Sequence, residues 1–258
     1  MEKQLTIKGI KSQLAAISQE NDPLLILYKD DRRVGVQKLL KQTYKKIQQH
    51  QLLVAKFQQR LALEKVAWSH GLNFVAGIDE VGRGCLAGPV ITAAVILPHN
   101  FSVIEVNDSK QLSRHTRERL YPQIIEQALA VSIGVSSPSV IDQINILQAT
   151  RQAMKKAVLG LSISPDKLLV DAVDVPVDIP KQRMFKGDAK SATIAAASIV
   201  AKVYRDHLMA IYDHLYPGYD FADNMGYGTA KHLQGLQAFG TTPIHRLTFA
   251  PVNQFIKN

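Results

Sequence analysis

The sequence predicts an α/β protein: a mixed central β-sheet flanked by helices, a helical C-terminal region and a small helical N-terminal extension. Three observations carry that expectation. From Asn73 onward, short β-branched runs alternate with amphipathic helical stretches, the pattern of a sheet covered by helices. Two of the apolar runs, "FVAGID" and "KLLVDAV", lead into acids, and ligands of open α/β sheets gather at the carboxyl ends of strands. Residues 1–70 have little Gly or Pro and many Gln, Lys and Leu, a helical texture.

Within 34–68 the apolar residues Leu39, Leu40, Tyr44, Ile47, Leu52, Val54, Phe57, Leu61, Leu63 and Val66 recur at three- and four-residue spacings, which predicts a helix. Asp30 or Asp31 is placed to cap it. A boundary near Ser69–Asn73 divides an extension, 1–70, from a main domain, 71–258. In the main domain "FVAGID" (74–79) and "PVITAAVILP" (89–98, bounded by Pro89 and Pro98) read as strands. A helix over 120–130 and a strand over 131–137 follow. Residues 139–161 form a long amphipathic helix with Ser139 as candidate cap. Then come a buried-type strand ending at Asp171 and an alanine-rich helix stopped by Pro217. A loop and a last helix occupy 224–240. No internal repeat or low-complexity tract is present.

The chain has 258 residues, 46% of them hydrophobic, enough for one large domain with a small appendage and too apolar for global disorder. Cys85 is the single cysteine, so neither a disulfide framework nor a Cys/His zinc site is available, and it reads as a small packing residue. The N-terminus lacks an apolar core of signal-peptide length, and no stretch is apolar over the ~18 residues a membrane span needs. These features point to a cytoplasmic protein that does not engage membranes. The net charge is +9. Residues 1–70 hold 13 Lys and Arg against 6 Asp and Glu, so most of the excess sits in the extension. That is either an arm for polyanions or a solvated lysine-rich helical face.

The acids carry the chemistry. Asp79 and Glu80 end the first strand, Asp171 ends a second, and Asp188 opens the alanine-rich helix. Four converging carboxylates repel one another unless cations bind between them, and magnesium suits all-oxygen sites. Each acid also has a plain structural reading. Asp188 serves equally as a helix cap, Asp171 as a turn residue, and Asp174 and Asp178 are rival strand-end acids. The glycine-rich stretch "GIDEVGRGCLAG" (77–88) has Arg83-Gly84 where a P-loop needs Lys and a hydroxyl residue, and Gly82, Gly84 and Gly88 are one residue too long for a dinucleotide fingerprint. A backbone-lined site with Arg83 reaching a phosphate or sugar fits better.

The ordered motifs "AGIDEVGRGCLAGPVITAAVIL", "VNDSKQLSRHTRERLY", "LLVDAV", "KGDAKSATIAAASIVAKVYRDHLM", "MGYGTAKH" and "HRLTFAPV" resemble ribonuclease HII, the type 2 ribonuclease H family, over about residues 74–252. The resemblance implies a ribonuclease H-like core. It implies that Asp79, Glu80, Asp171 and Asp188 are the catalytic, metal-holding acids, with Mg2+ or Mn2+ as cofactor. Gly82, Arg83 and Gly84 are implied to grip the ribonucleotide at an RNA–DNA junction, partly through backbone contacts to its 2′-hydroxyl, which is what separates RNA from DNA at one position. Tyr227 is implied to stack on the following deoxyribose. Lys110, Ser113 and Lys190 are candidate phosphate contacts. Lys202 and Arg205 are weaker ones, with surface charge or helix salt bridges as their alternative. His207, His232 and His245 share no metal-ligand spacing.

The implied activity is two-metal hydrolysis of the RNA strand of RNA–DNA hybrids and cleavage 5′ of single ribonucleotides in duplex DNA, leaving a 3′-hydroxyl and a 5′-phosphate. The implied role is removal of misincorporated ribonucleotides, with hybrid or ribonucleotide-containing DNA as partner and a monomeric enzyme. Two alternatives remain. A ribonuclease HIII-like hybrid nuclease would lack the Gly-Arg-Gly form. A non-catalytic nucleic-acid-binding protein is disfavoured by an acidic centre that repels phosphate unless a metal intervenes.

Overall fold

The structure is a computed structural model that describes residues 5–256; the first four and last two residues of the ranges above lie outside it. The chain divides into two compact units, Met1–Gln58 and Gln59–Asn258.

The first unit holds α1 (Ile7–Leu14), α2 (Pro23–Tyr28) and most of α3 (Val34–Arg60). The Thr6 hydroxyl accepts from the Gly9 N–H at 3.2 Å and the Asp22 carboxylate from the Leu24 N–H at 2.9 Å, so α1 and α2 both start on side-chain caps. Ile10, Leu14, Leu25, Val36, Leu40 and Ile47 are buried together, with α3 contributing every third or fourth residue as its spacing predicts. Asp31 does not cap α3. It sits ahead of the helix and binds Arg33 through the backbone N–H (2.9 Å) and the guanidinium (2.6 Å).

In the second unit α4 (Ala62–Ser69) precedes β1 (Val75–Val81), β2 (Val90–Ile96), α5 (Arg114–Gln127), β3 (Ala130–Ser136) and α6 (Pro138–Leu159). Then follow β4 (Lys167–Asp171), β5 (Lys181–Met184), α7 (Ala192–Leu215), α8 (Phe221–Asn224) and α9 (Ala230–Phe239). The sheet order is β3-β2-β1-β4-β5. β1 runs antiparallel to β2 and parallel to β4, and β4 parallel to β5. The expected mixed sheet flanked by helices is therefore present.

Alternation along β1 decides what packs where. Ala76 and Ile78 face a core shared with Met154 and Ala157 of α6. Gly77 faces the other way, and a Cβ there would strike the Thr193–Ile194 backbone of α7. Gly134 of β3 does the same for α6, lying against Ala153 and Ala157. The two long helices thus seat on opposite faces where glycines clear the sheet. Asp79 shares the parity of Gly77, so it rises on the α7 face.

Several local expectations are corrected. The helix expected over 34–68 breaks at Leu61 (φ −75°, ψ −1°) into α3 and α4. Ser137, not Ser139, caps α6, accepting from the Val140 N–H at 3.3 Å, and Pro138 takes the first helical position. Asn145, at φ 66°, interrupts α6, and its Oδ1 accepts from the Leu147 and Gln148 N–H groups. β5 was not anticipated. Its sequence Lys-Gln-Arg-Met is a polar, half-exposed edge strand without the apolar run that signals a buried one.

Candidate active site

Parallel pairing of β1 with β4 matches Ile78 to Val170. Asp79 and Asp171, each one residue further on, therefore leave the sheet side by side at the carboxyl ends of adjacent strands. Asp188 arrives from another direction. It lies in a 3-10 turn, Gly187–Ala189, just before α7, and is not the helix cap. Ser191 caps α7, its hydroxyl accepting from the Ile194 N–H at 3.1 Å. The turn is pinned to the strand end because the Gly187 N–H donates to Asp171 Oδ1 at 2.8 Å.

The start of α7 is held by a residue outside these motifs. Glu64 of α4 is fully buried, and its Oε1 accepts from the Ser191 hydroxyl (2.6 Å), the Thr193 N–H (2.9 Å) and the Thr193 hydroxyl (2.9 Å). A carboxylate there satisfies one of the helix's first N–H donors and faces the positive end of the dipole. No local spacing announces it, because its partners are 127 and 129 residues away in sequence.

The acids form one electrostatic centre. Burial, then the charges of Glu80 and Asp171, push the Asp79 carboxyl well above the usual range. Burial also raises Glu80, with Asp171 adding and Arg83 opposing. Asp188 is pushed up to about 6 by burial, then by Asp108 and Asp171. Asp108, whose side chain accepts from the Lys110 N–H at 2.9 Å, is a fifth acid at this centre, which its place in a loop away from any strand end does not announce in the sequence. Burial pulls Lys110 down, but Asp79, Asp188, Asp108 and Asp171 outweigh it and leave it raised. Lys110 therefore lies within electrostatic reach of the four candidate acids or their neighbours.

Hard oxygen donors that penalise one another in this way suit a hard divalent cation. Glu80 Oε2 is buried without a hydrogen-bond partner, as an oxygen reserved for an outside ligand would be. Among the described residues no three His, Cys, Asp or Glu side chains stand close enough to hold an ion as they are.

The glycine loop is built from both sides. Arg246, fully buried, donates to the carbonyls of Gly82, Arg83 (2.8 Å) and Gly88 (3.0 Å). Arg205, also fully buried, donates to Pro89 (3.1 Å), Met225 (2.7 Å) and Ala87 (3.0 Å). This corrects the reading of Arg205 as a phosphate contact: it is fully buried and donates from all three nitrogens to backbone carbonyls. Gly82, at φ 89°, lies against the Arg205 side chain and has no room for a Cβ. Gly84 differs, since a Cβ there would meet only the Tyr227 ring, at 4.0 Å. Packing does not require that glycine. Arg83 pairs with Glu80 at 3.3 Å, joining loop and acids.

The remaining candidates separate. Tyr227 is 47% exposed beside Gly84. Ser113 caps α5, accepting from the Thr116 N–H at 3.1 Å. Lys190 is exposed in the turn after Asp188. Lys202 pairs with Asp206 at 2.7 Å within α7, the helix salt bridge that was its alternative. His207 meets Glu118 at 2.9 Å, and His232 and His245 are buried against each other at 3.0 Å. Cys85 is buried, as a packing residue would be.

Comparison with known proteins shows which family the chain resembles. The family model described as ribonuclease HII matches residues 76–252, and one described as the ribonuclease HII N-terminal domain matches residues 6–68. A ribonuclease HII of Levilactobacillus brevis is 58% identical over 257 residues, covering 100% of both chains. One from Pediococcus pentosaceus is 57% identical over 251 residues, 97% of this chain and 98% of that one. The crystal structure of the ribonuclease H2 from Pyrococcus horikoshii superposes with a TM-score of 0.61 at 26% identity, over 70% of this chain and 96% of that one. The chain belongs to the ribonuclease HII family and is an endoribonuclease with a ribonuclease H-like core.

Proposed function

We propose that this ribonuclease H hydrolyses the RNA strand of RNA–DNA hybrids and cuts 5′ of single ribonucleotides in duplex DNA, leaving a 3′-hydroxyl and a 5′-phosphate. The observation that carries the reading is a buried acidic centre beside a glycine, Gly84, that packing leaves unexplained. Asp79, Glu80, Asp171 and Asp188 would hold two divalent ions, Mg2+ or Mn2+. Ions bound there supply a polarised water and neutralise charge on the scissile phosphate and departing 3′-oxygen.

The chain's own groups select and orient the substrate. The loop Gly82-Arg83-Gly84 brings backbone against the ribose, where the 2′-hydroxyl distinguishes RNA. Tyr227 stacks on the next sugar. Arg83, Lys110 and Lys190 neutralise phosphates, with Ser113 a secondary contact through the hydroxyl that also caps α5. Residues 71–258 form the catalytic domain in this reading. It acts as a cytoplasmic monomer on hybrid or ribonucleotide-containing duplexes; none of the described helices is long and apolar enough to cross a membrane.

The extension acts as an electrostatic anchor for the same duplexes. Residues 32–63 carry eight Lys and Arg and no Asp or Glu, and Lys38, Lys41 and Lys45 are exposed at helical spacing on α3. Changing these three to Gln is expected to flatten the salt dependence of duplex binding.

The deciding experiment is cleavage of an end-labelled duplex bearing one ribonucleotide, with and without EDTA, beside an all-DNA duplex and a long hybrid. Metal-dependent cutting just 5′ of the ribonucleotide is expected. Cutting of the long hybrid alone would favour the type 3 specificity, and binding without cutting in Mg2+ or Mn2+ would overturn the site.

A further inference from the structure

Beyond the acidic centre lies an open cavity of about 350 Å³, lined in part by Arg83, Arg151, Ala172, Asp174, Arg183 and Phe185. Its lining adjoins the candidate active site along the chain. Ala172 follows Asp171, Phe185 lies two residues before the Gly187 turn that carries Asp188, and Arg83 is paired with Glu80. Tyr227 does not line it.

Three features of its wall are unusual for a surface that meets only water. Phe185 is 76% exposed, a large ring left uncovered. Of its three guanidiniums, Arg83 pairs with Glu80 at 3.3 Å and Arg151 with Asp174 at 3.4 Å, an acid Lys181 also approaches at 3.8 Å, and Arg183 has no ion pair among the described residues. The Nε atoms of Arg83 and Arg151 are buried with no hydrogen-bond partner, and an unpaired buried donor is costly unless an outside acceptor completes it. A bare ring beside surplus guanidiniums is the chemistry of a nucleotide site: bases and sugars stack on aromatic faces while Arg forks grip phosphate.

We propose that this groove is a flanking-nucleotide subsite for the cleaved strand, with Phe185 against a base or sugar and Arg151 and Arg183 on the adjoining phosphate. It rests on the substrate reading above and extends it: the groove reads strand on a flank that Tyr227 does not touch. An acidic peptide would satisfy the guanidiniums but leaves unexplained why the ring and the charges adjoin the carboxylates that face the scissile bond.

The test uses the full chain in EDTA, so that binding is read without cleavage. Fluorescence anisotropy gives Kd for a duplex with one ribonucleotide and for versions in which the ribonucleotide strand is shortened on one flank at a time. Phe185→Ala and Arg183→Gln are each expected to weaken binding to the full duplex about tenfold. Shortening one flank, and only one, should weaken the wild type by a similar factor and leave the variants no worse, because the same contact is lost either way. Phe185→Trp should restore affinity. Wild-type affinity in Phe185→Ala, or equal flank sensitivity in variant and wild type, would overturn the proposal. Because no cleavage is read, a failed site assignment would show separately in the EDTA-controlled cutting assay.

Discussion

Asp79 and Gly84 illustrate how single residues divide between chemistry and packing. Asp79 is 4% exposed, with its carboxyl held well above the ordinary range first by burial and then by two neighbouring acids. A cation at this centre relieves that repulsion and should stabilise the fold by mass action. Millimolar Mg2+ or Mn2+ is therefore expected to raise the Tm of the wild type by several degrees. Asp79→Asn should lose most of that shift and at least about 100-fold in cleavage rate, while folding at least as stably without metal. A wild-type rate in this variant would remove Asp79 from the site. The glycines make the complementary case. Gly84→Ala meets only a ring edge at 4.0 Å, so its melting temperature should match the wild type while its affinity for ribonucleotide-containing duplex falls about tenfold. Gly82→Ala must take φ 89° and displace Arg205, so it should lose stability by about 1–3 kcal/mol. Both glycines stand in the sequence, but only their surroundings in the fold tell one role from the other.

At the scale of the element, α7 organises the site. Its alanine-rich first turns press onto β1 at Gly77, and its start sets the turn that carries Asp188. Glu64 holds that start through three hydrogen bonds. Glu64→Ala leaves two hydroxyls and a helix N–H short of their acceptor, which should cost about 2–3 kcal/mol in urea unfolding. Glu64→Gln keeps an acceptor and should recover part of the loss. Equal stability of wild type and Glu64→Ala would show that the cap is dispensable. Helix and strand periods made most elements legible. Boundaries failed where a side chain chooses among neighbours: Ser137 outcompeted Ser139, and Leu61 broke a helix whose apolar spacing runs on without interruption. The compact units divide between Gln58 and Gln59, because α4 packs Ala67 against Val75, Leu169 and Ile194.

Across the molecule, the C-terminal region closes on a buried histidine pair. His232 Nε2 and His245 Nε2 lie 3.0 Å apart, and His245 Nδ1 meets the Thr242 N–H at 2.9 Å. Burial, then His232, lowers His245 to about 4, and burial lowers His232 as well. Both stay neutral in the fold, while in the unfolded chain they protonate near pH 6.5. The contribution of His245 is whole above about pH 6.5 and is lost as pH falls from there toward 4, with His232 acting in the same direction, since the unfolded chain then binds the extra protons. The raised carboxyls of Asp79, Glu80 and Asp188 act oppositely, favouring the fold as pH falls, so the histidine contribution must be isolated by difference. His245→Asn should be less stable at pH 7.5, yet lose less stability than the wild type between pH 7.5 and pH 5. An identical pH slope in the two proteins would rule out the pair as an acid-sensitive latch.

The sequence by itself determined the fold class and the helical extension with its charge, which are properties of periodicity and composition and so are local. The acids and the glycine loop it offered as candidates, which the family resemblance of their motifs singled out. Tertiary structure alone decided that Glu64 holds the start of α7, that Arg205 is a buried clamp and not a phosphate contact, that Arg246 is a second clamp, that Asp108 joins the acidic centre, and that Phe185 stands bare beside three arginines. Each of these depends on which distant groups share one low-dielectric space. Burial turns an ordinary charge into a clamp, a cap or a shifted carboxyl, and burial is set by packing between elements far apart in the chain.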